Sequence, residues 1–145
     1  MVGIFKEQFG KGLLRKLKKH LLTICTTLGI LLAFESLCAF GGGAYGLMGA
    51  KAIPAEWLKG SPFHSYFIPS LILFFIVGGS CLTATIAVFS NSRNARRLSF
   101  LAGVILLGWI GVQLAIIGFV SWLQPETAVV GIAVLALAWR LPESL

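Results

Sequence analysis

Aspartate is absent from this chain, and charged residues of every kind make up only 12% of its 145 positions. A soluble domain of ordinary composition carries about 25% charged residues. The chain is instead 57% hydrophobic, with a mean hydropathy of +0.91. This composition argues against an ordinary soluble domain and indicates a single domain in a lipid bilayer.

The chain also lacks the side-chain sets that support the common catalytic and metal-binding chemistries. Its three cysteines, Cys25, Cys38 and Cys81, lie inside apolar runs without a C-x-x-C pair, and we interpret them as small hydrophobic residues. Its two histidines are predicted at opposite membrane faces, whereas a metal site needs several ligands together. With no Ser-His-acid set, phosphate loop or haem ligand pair in the sequence, we expect no enzymatic activity, no cofactor and no metal site.

Long apolar runs are what the chain has in abundance. A helix rises 1.5 Å per residue and a bilayer core is about 30 Å thick, so about twenty apolar residues span it. Four runs predict transmembrane helices, and they cover residues 20–46, 67–89, 98–123 and 127–141. The fourth run is short for a span, so either it tilts little or the bilayer thins locally.

The predicted fold is therefore all-α: a polytopic membrane protein whose four-transmembrane-helix bundle covers residues 20–141. A basic amphipathic segment, residues 1–19, precedes the bundle, and a short tail, residues 142–145, follows it. In the long polar connection, Pro54 and Gly60 favour a short helix over residues 55–59.

The N-terminal segment has two chemically different sides if it is helical. One broad side carries apolar residues: Phe5, Phe9, Leu13 and Leu17. The other carries basic residues: Lys11, Arg15, Lys18 and Lys19. This pattern is typical of a helix lying on an anionic leaflet. The alternative is an unstructured positive flank that only orients the next helix.

Basic residues are divided very unequally between the two predicted sides of the membrane. Ten fall on the side of the N-terminus, and only Lys51 and Lys59 fall on the other. The positive-inside rule then predicts a multi-pass inner-membrane protein with both termini in the cytoplasm. Contacts to anionic headgroups at the cytoplasmic face are expected from Lys11, Arg15, Lys18, Lys19, Arg93, Arg96 and Arg97. Because the basic residues flank apolar spans, the net charge of +7 does not indicate nucleic acid.

Glu35 is the single charge in the first apolar run and the main candidate for a functional residue. It lies fifteen residues after His20, and Gln113 lies fifteen residues after Leu98 on a predicted span of the same direction. The two side chains should therefore share a depth, with Tyr66 and His64 placed to cover them from the next connection. An intramembrane carboxylate usually faces the bundle interior and is a functional candidate by default. The alternatives are a proton or cation site and a neutral Glu35 that bonds Gln113 or a backbone carbonyl and joins helices.

Two segments of the chain carry a family resemblance. Gly60-Ser61-Pro62-Phe63 followed by Ile68-Pro69, and the run Ile117 to Pro125 with its S-W-L-Q-P sequence, resemble a group of small, uncharacterised four-span bacterial membrane proteins. The resemblance covers roughly residues 40–140 and is looser at Gly41 to Gly46; Ser70 stands where the group usually has Gly. It implies the four-span topology and carries no activity over to this chain.

The sequence therefore favours a non-enzymatic membrane protein, either an accessory or interaction subunit or a bundle that holds a lipid or other apolar ligand. The alternative is a small oligomeric proton-coupled transporter that uses Glu35. Membrane lipids are the expected partners, and a homo-oligomer or a larger membrane complex is left open.

Overall fold

The computed structural model of the protein describes residues 1–143, and over this range the chain is helical with no β-strand. It forms four long helices: α1 (Val2–Leu47), α2 (Phe67–Phe89), α3 (Ala95–Ile117) and α4 (Leu123–Arg140). One 3₁₀ turn, Ala55–Leu58, lies in the connection between α1 and α2, close to the short helix that the sequence predicts. Residues 144 and 145 of the predicted tail lie outside the described residues.

Three of the helices, α1, α2 and α3, are long and apolar enough to cross a membrane. Their mean hydropathy over eighteen residues is 1.9, 2.3 and 2.4, respectively. The membrane character predicted from composition is thereby supported, whereas α4, with 18 residues, is not among these three. The predicted fourth crossing is taken up below as part of the proposed function.

Consecutive helices pack side by side, and α4 also contacts α1, so the four helices form a closed bundle. The core contains the fully buried leucines Leu28 and Leu32 of α1, Leu106 of α3 and Leu141 after α4, which pack with Val134 of α4. α2 contributes Cys81 and Val88 to the same core. The buried cysteines Cys25 and Cys81 thus behave as the small hydrophobic residues that the sequence indicates, and Cys38 is exposed on α1.

α1 is one uninterrupted helix of 46 residues, which corresponds to a length of about 69 Å. Its N-terminal stretch is exposed, and its buried residues begin at Ile24. Gly10 and Gly12 do not interrupt it, so no break separates the predicted N-terminal segment from the first predicted span. The basic segment is therefore a continuation of the first bundle helix.

Two of the later helices, α3 and α4, differ from the predicted ranges, and α2 agrees with its predicted range. α2 covers the predicted range 67–89. α3 begins at Ala95 and ends at Ile117, earlier at both ends than the predicted 98–123, and α4 begins at Leu123 rather than at 127. The earlier end of α3 has its cause in Gly118, whose φ of 68° departs from helical geometry and ends the helix within a stretch that is still apolar.

Small residues allow α1 and α2 to approach closely. A Cβ atom at Gly43 would lie 2.7 Å from the Cβ of Phe74 and 3.0 Å from its backbone. A Cβ atom at Gly46 would overlap the hydroxyl of Ser70. Close packing of this kind is a main source of helix association in lipid, because burial of apolar surface contributes little to association there.

The middle of α2 is a π-helix, Ile72–Gly78, between two α-helical parts. The buried hydroxyl of Ser36 on α1 donates a hydrogen bond of 3.0 Å to the carbonyl of Gly78, the last residue of this segment. Short π segments within α-helices occur frequently at functional sites. This one adjoins the cavity described next.

Candidate functional site

A cavity of about 420 Å³ lies where one end of each helix converges; we call it the Glu35 cavity. Its wall includes Glu35 from α1, Ser70 from α2, Gln113 from α3 and Thr127 from α4, and Trp57 of the α1–α2 connection completes it. Ligand pockets in proteins have volumes of about 300–1,000 Å³. The Glu35 cavity is therefore large enough for a small organic molecule.

Glu35 is buried in this wall, with only 4% of its surface exposed. Its Oε1 atom has no hydrogen-bond partner within residues 1–143. A buried polar atom without a partner is costly, and most such atoms in proteins are paired. The bond from Glu35 to Gln113 or to a backbone carbonyl, which the structural interpretation requires, is therefore missing at this oxygen.

Three of the four residues predicted for the site line this one cavity: Glu35, Gln113 and Tyr66. Gln113 and Tyr66 are half-buried. His64 is exposed and lines a different cavity of about 440 Å³, the loop cavity, which the α1–α2 connection forms with the ends of α1 and α2. The structure thus brings the glutamate, the glutamine and the tyrosine together at one cavity, whereas the histidine shares only the loop cavity with Tyr66.

Two tyrosines fix the connection over the cavity. Tyr66, which lies between the two cavities, donates a hydrogen bond of 2.7 Å to the carbonyl of Pro54. Tyr45 accepts one of 2.9 Å from the backbone N–H of Ala52. These bonds tie the connection to α1 and to the start of α2, so that Trp57 can close one side of the Glu35 cavity.

Gln124 is a residue of the cavity wall that the sequence patterns did not indicate. It is 4% exposed, and its Oε1 accepts hydrogen bonds from the backbone N–H groups of Val120, at 2.9 Å, and Ser121, at 3.4 Å. Its Nε2 donates to the carbonyl of Gly118 at 3.1 Å. One side chain thereby satisfies three backbone groups of the turn between α3 and α4. The only sequence signal for Gln124 is that it is an amide residue within the S-W-L-Q-P stretch. It does not belong to any helical periodicity of polar residues.

A second acidic residue, Glu126 at the start of α4, lines the same cavity and is exposed. No lysine, arginine or histidine from residues 1–143 belongs to this wall. Among those residues, no three His, Cys, Asp or Glu side chains come together as a metal site would require. The arrangement is suited to a ligand that offers hydrogen-bond donors or positive charge to Glu35 and an apolar body to the remaining wall.

The seven residues predicted to contact anionic headgroups lie on two elements away from the cavity. On α1, Lys11, Arg15, Lys18 and Lys19 are all exposed, and Lys11 pairs with Glu7 at 2.6 Å. Arg93 and Arg97 are exposed near the start of α3. Arg96 is half-buried; it pairs with Glu143 at 3.5 Å and lies over the ring of Trp139 at 5.8 Å. Arg96 therefore also joins the start of α3 to the end of α4.

Comparison with known proteins gives no match for this chain among protein-family models, curated proteins or solved structures.

Proposed function

We propose that the protein is a non-enzymatic inner-membrane protein whose four-helix bundle holds an apolar ligand in the Glu35 cavity. The observation that carries this proposal is a cavity of about 420 Å³ whose wall is mostly apolar and includes polar residues such as Glu35, Ser70 and Gln113. Binding sites for small molecules generally combine an apolar wall with a few polar groups that orient the ligand. The adjoining π-helix supports the same location.

The proposal predicts that filling the cavity abolishes binding. Gly42 lines the cavity, and a Cβ atom there would meet only the end of the Leu73 side chain, at 3.3 Å. We expect purified wild-type protein in detergent to bind 1-adamantanol, a compact neutral probe, and Gly42→Leu to bind it at least about tenfold more weakly because the leucine occupies the space. The fluorescence of Trp57 and Trp109, which both line the cavity, measures the affinity.

Gly41→Leu is the matched control for this experiment. Gly41 is the preceding residue of α1 and is exposed, and a Cβ atom added there would have no atom of the described chain within 4 Å. This variant should bind the probe like the wild type. Absence of binding to the wild-type protein, or equal binding by both variants, contradicts an apolar ligand in this cavity.

The proposal includes four crossings, with both termini in the cytoplasm. α4 has 18 residues, which correspond to about 27 Å and nearly match a bilayer core. It packs along α3, whose apolar length supports a crossing. The unequal distribution of basic residues supports the orientation.

The topology can be measured in intact cells by labelling single cysteines with a membrane-impermeant maleimide. The native cysteines of the protein are replaced first. We expect labelling from outside at Lys51→Cys and Trp122→Cys, and none at Asn91→Cys and Glu143→Cys, because alternate connections lie on opposite sides. All four positions are exposed. The reverse pattern contradicts the orientation, and labelling of both Trp122→Cys and Glu143→Cys contradicts the fourth crossing.

Headgroup contacts at the cytoplasmic face are part of the same proposal. Exposed basic residues close to the bundle include Arg15, Lys18 and Lys19 on α1 and Arg93 and Arg97 near α3. Each basic residue close to an anionic surface contributes about 1 kcal/mol. Binding of a peptide of residues 1–19 to anionic vesicles should weaken as salt rises, and equal binding to neutral vesicles contradicts the electrostatic contribution.

The second candidate function is proton-coupled transport, and the unpartnered Oε1 of buried Glu35, which has no partner within residues 1–143, is the observation that favours it. A carboxyl group in a cavity can take up and release a proton, whereas the amide of Glu35→Gln cannot. The test is a proton-linked flux measured in proteoliposomes. If the wild type shows such a flux and Glu35→Gln abolishes it, the function is transport and not ligand retention.

A further inference from the structure

The charged residues of the Glu35 cavity are acidic, whereas those of the whole chain are mostly basic. The protein has twelve lysines and arginines and only five acidic residues. Two of those five, Glu35 and Glu126, line the cavity, and none of the basic residues within the described range 1–143 does. The loop cavity differs, since Lys51 and His64 are in its wall. Acidic side chains without basic ones beside them are thus a specific property of the Glu35 cavity.

Glu35 has the geometry of a ligand-binding group. It is 96% buried, since 4% of its surface is exposed, and its Oε1 has no partner within residues 1–143 although the residue lines the cavity. A buried carboxyl group is stabilised either by protonation or, when it is ionised, by a cation and hydrogen-bond donors. A ligand that pairs with the ionised form therefore carries positive charge and N–H or O–H donors.

The rest of the wall fits an organic cation better than a metal ion. Trp57, Trp109 and Tyr66 contribute aromatic rings, and aromatic faces attract ammonium groups. Calcium requires six to eight oxygen ligands, and no cluster of three candidate metal ligands exists among residues 1–143. Apolar residues such as Leu73 and Ile110 line much of the remaining surface.

We propose that the Glu35 cavity binds a lipophilic organic ammonium ion, whose N–H groups donate to the Glu35 carboxylate while its apolar body contacts the aromatic and aliphatic wall. This inference rests on the proposed function and names the chemical class of its ligand. Glu126, which is exposed at the same cavity, attracts the cation from its solvent-accessible position and adds less than Glu35 because solvent screens it.

Three probes that share one apolar body test the proposal: 1-adamantanamine, 1-adamantanol and 1-adamantanecarboxylate, which are cationic, neutral and anionic at neutral pH. Binding to the full-length protein in detergent is followed by tryptophan fluorescence and by calorimetry. The ammonium probe should bind about tenfold or more tightly than the alcohol, because hydrogen bonds to charged groups are the stronger ones. The carboxylate should bind more weakly than the alcohol.

Glu35→Gln should reduce the affinity for the ammonium probe about tenfold, to that of the alcohol, and leave the affinity for the alcohol unchanged. Glu56→Gln is the matched control; Glu56 is exposed in the 3₁₀ turn and does not line the cavity, so the ammonium affinity should stay at the wild-type value. The three-probe comparison on the wild type tests the proposal even when Glu35→Gln does not fold.

The outcomes separate this inference from the proposed function. Equal binding of ammonium and alcohol, or preferred binding of the carboxylate, overturns the cation inference and leaves an apolar ligand site in place. An ammonium preference that survives in folded Glu35→Gln overturns the role of Glu35. Binding of none of the three probes overturns both the inference and the proposed function.

Discussion

Gly46→Ala should destabilise the bundle by about 1–3 kcal/mol, the usual cost of overpacking a well-packed interface. Gly46 is buried in α1, and its added Cβ would overlap the Ser70 hydroxyl and lie 2.8 Å from the Ser70 Cβ. The ends of α1 and α2 must therefore move apart, and both line the Glu35 cavity. Unfolding of the purified protein in mixed micelles with increasing sodium dodecyl sulfate measures the loss.

Two further variants isolate the cause. Gly41→Ala places the same methyl group on the same helix where no atom of the described chain lies within 4 Å, so its stability should be unchanged or higher by up to about 1 kcal/mol. Gly46→Ala with Ser70→Gly removes the side chain that the methyl group meets and should recover most of the loss. A similar destabilisation in Gly41→Ala, or no recovery in the double variant, contradicts the close contact.

Gln124→Leu should cost about 2–4 kcal/mol, because one side chain satisfies three backbone groups at the turn between α3 and α4. Leucine has a similar volume but leaves the N–H groups of Val120 and Ser121 and the carbonyl of Gly118 without this partner. An unsatisfied buried polar group costs about 1–3 kcal/mol. The same unfolding titration measures the change.

Gln113→Leu is the control, since it is the same substitution on a half-buried cavity residue, and its stability should stay within about 1 kcal/mol of the wild type. Equal losses for the leucine variants of Gln113 and Gln124 would show that the three hydrogen bonds contribute little.

The helices that could be predicted are those whose boundaries coincide with a change of polarity. α2 is bounded by the polar connection before it and by the polar turn from Ser90 to Asn94, and its predicted ends agree with the structure. A hydropathy pattern does not show where the backbone changes direction inside an apolar stretch. The end of α3 at Gly118 therefore could not be predicted from it. The change from basic to apolar residues near His20 suggested a boundary in α1, but charge alone does not interrupt a helix.

The part of the candidate site that depends only on the rise of a helix per residue could be predicted from the sequence. Glu35 and Gln113 were placed at equal distances along parallel helices, and both line one cavity. The sequence does not predict Gln124, because its hydrogen bonds depend on the loop conformation. It does not determine which cavity His64 lines, because the course of a long connection does not follow from its composition. Tyr66 lines both cavities and His64, two residues before it, lines only the loop cavity, and both positions depend on the same connection.

The π-helix Ile72–Gly78 determines where α2 tolerates a change of length. Its hydrogen bonds run from i to i+5, so it takes more residues for each turn than an α-helix does, and its seven residues turn the chain about as far as six α-helical residues. Removal of one residue here, with return to α-helical geometry, would therefore leave the two halves of α2 in nearly the same orientation. Removal of one residue from the α-helical part Gly79–Phe89 would instead rotate the rest of the helix by about 100°, so the π-helix is the part of α2 in which a one-residue deletion disturbs side-chain directions least.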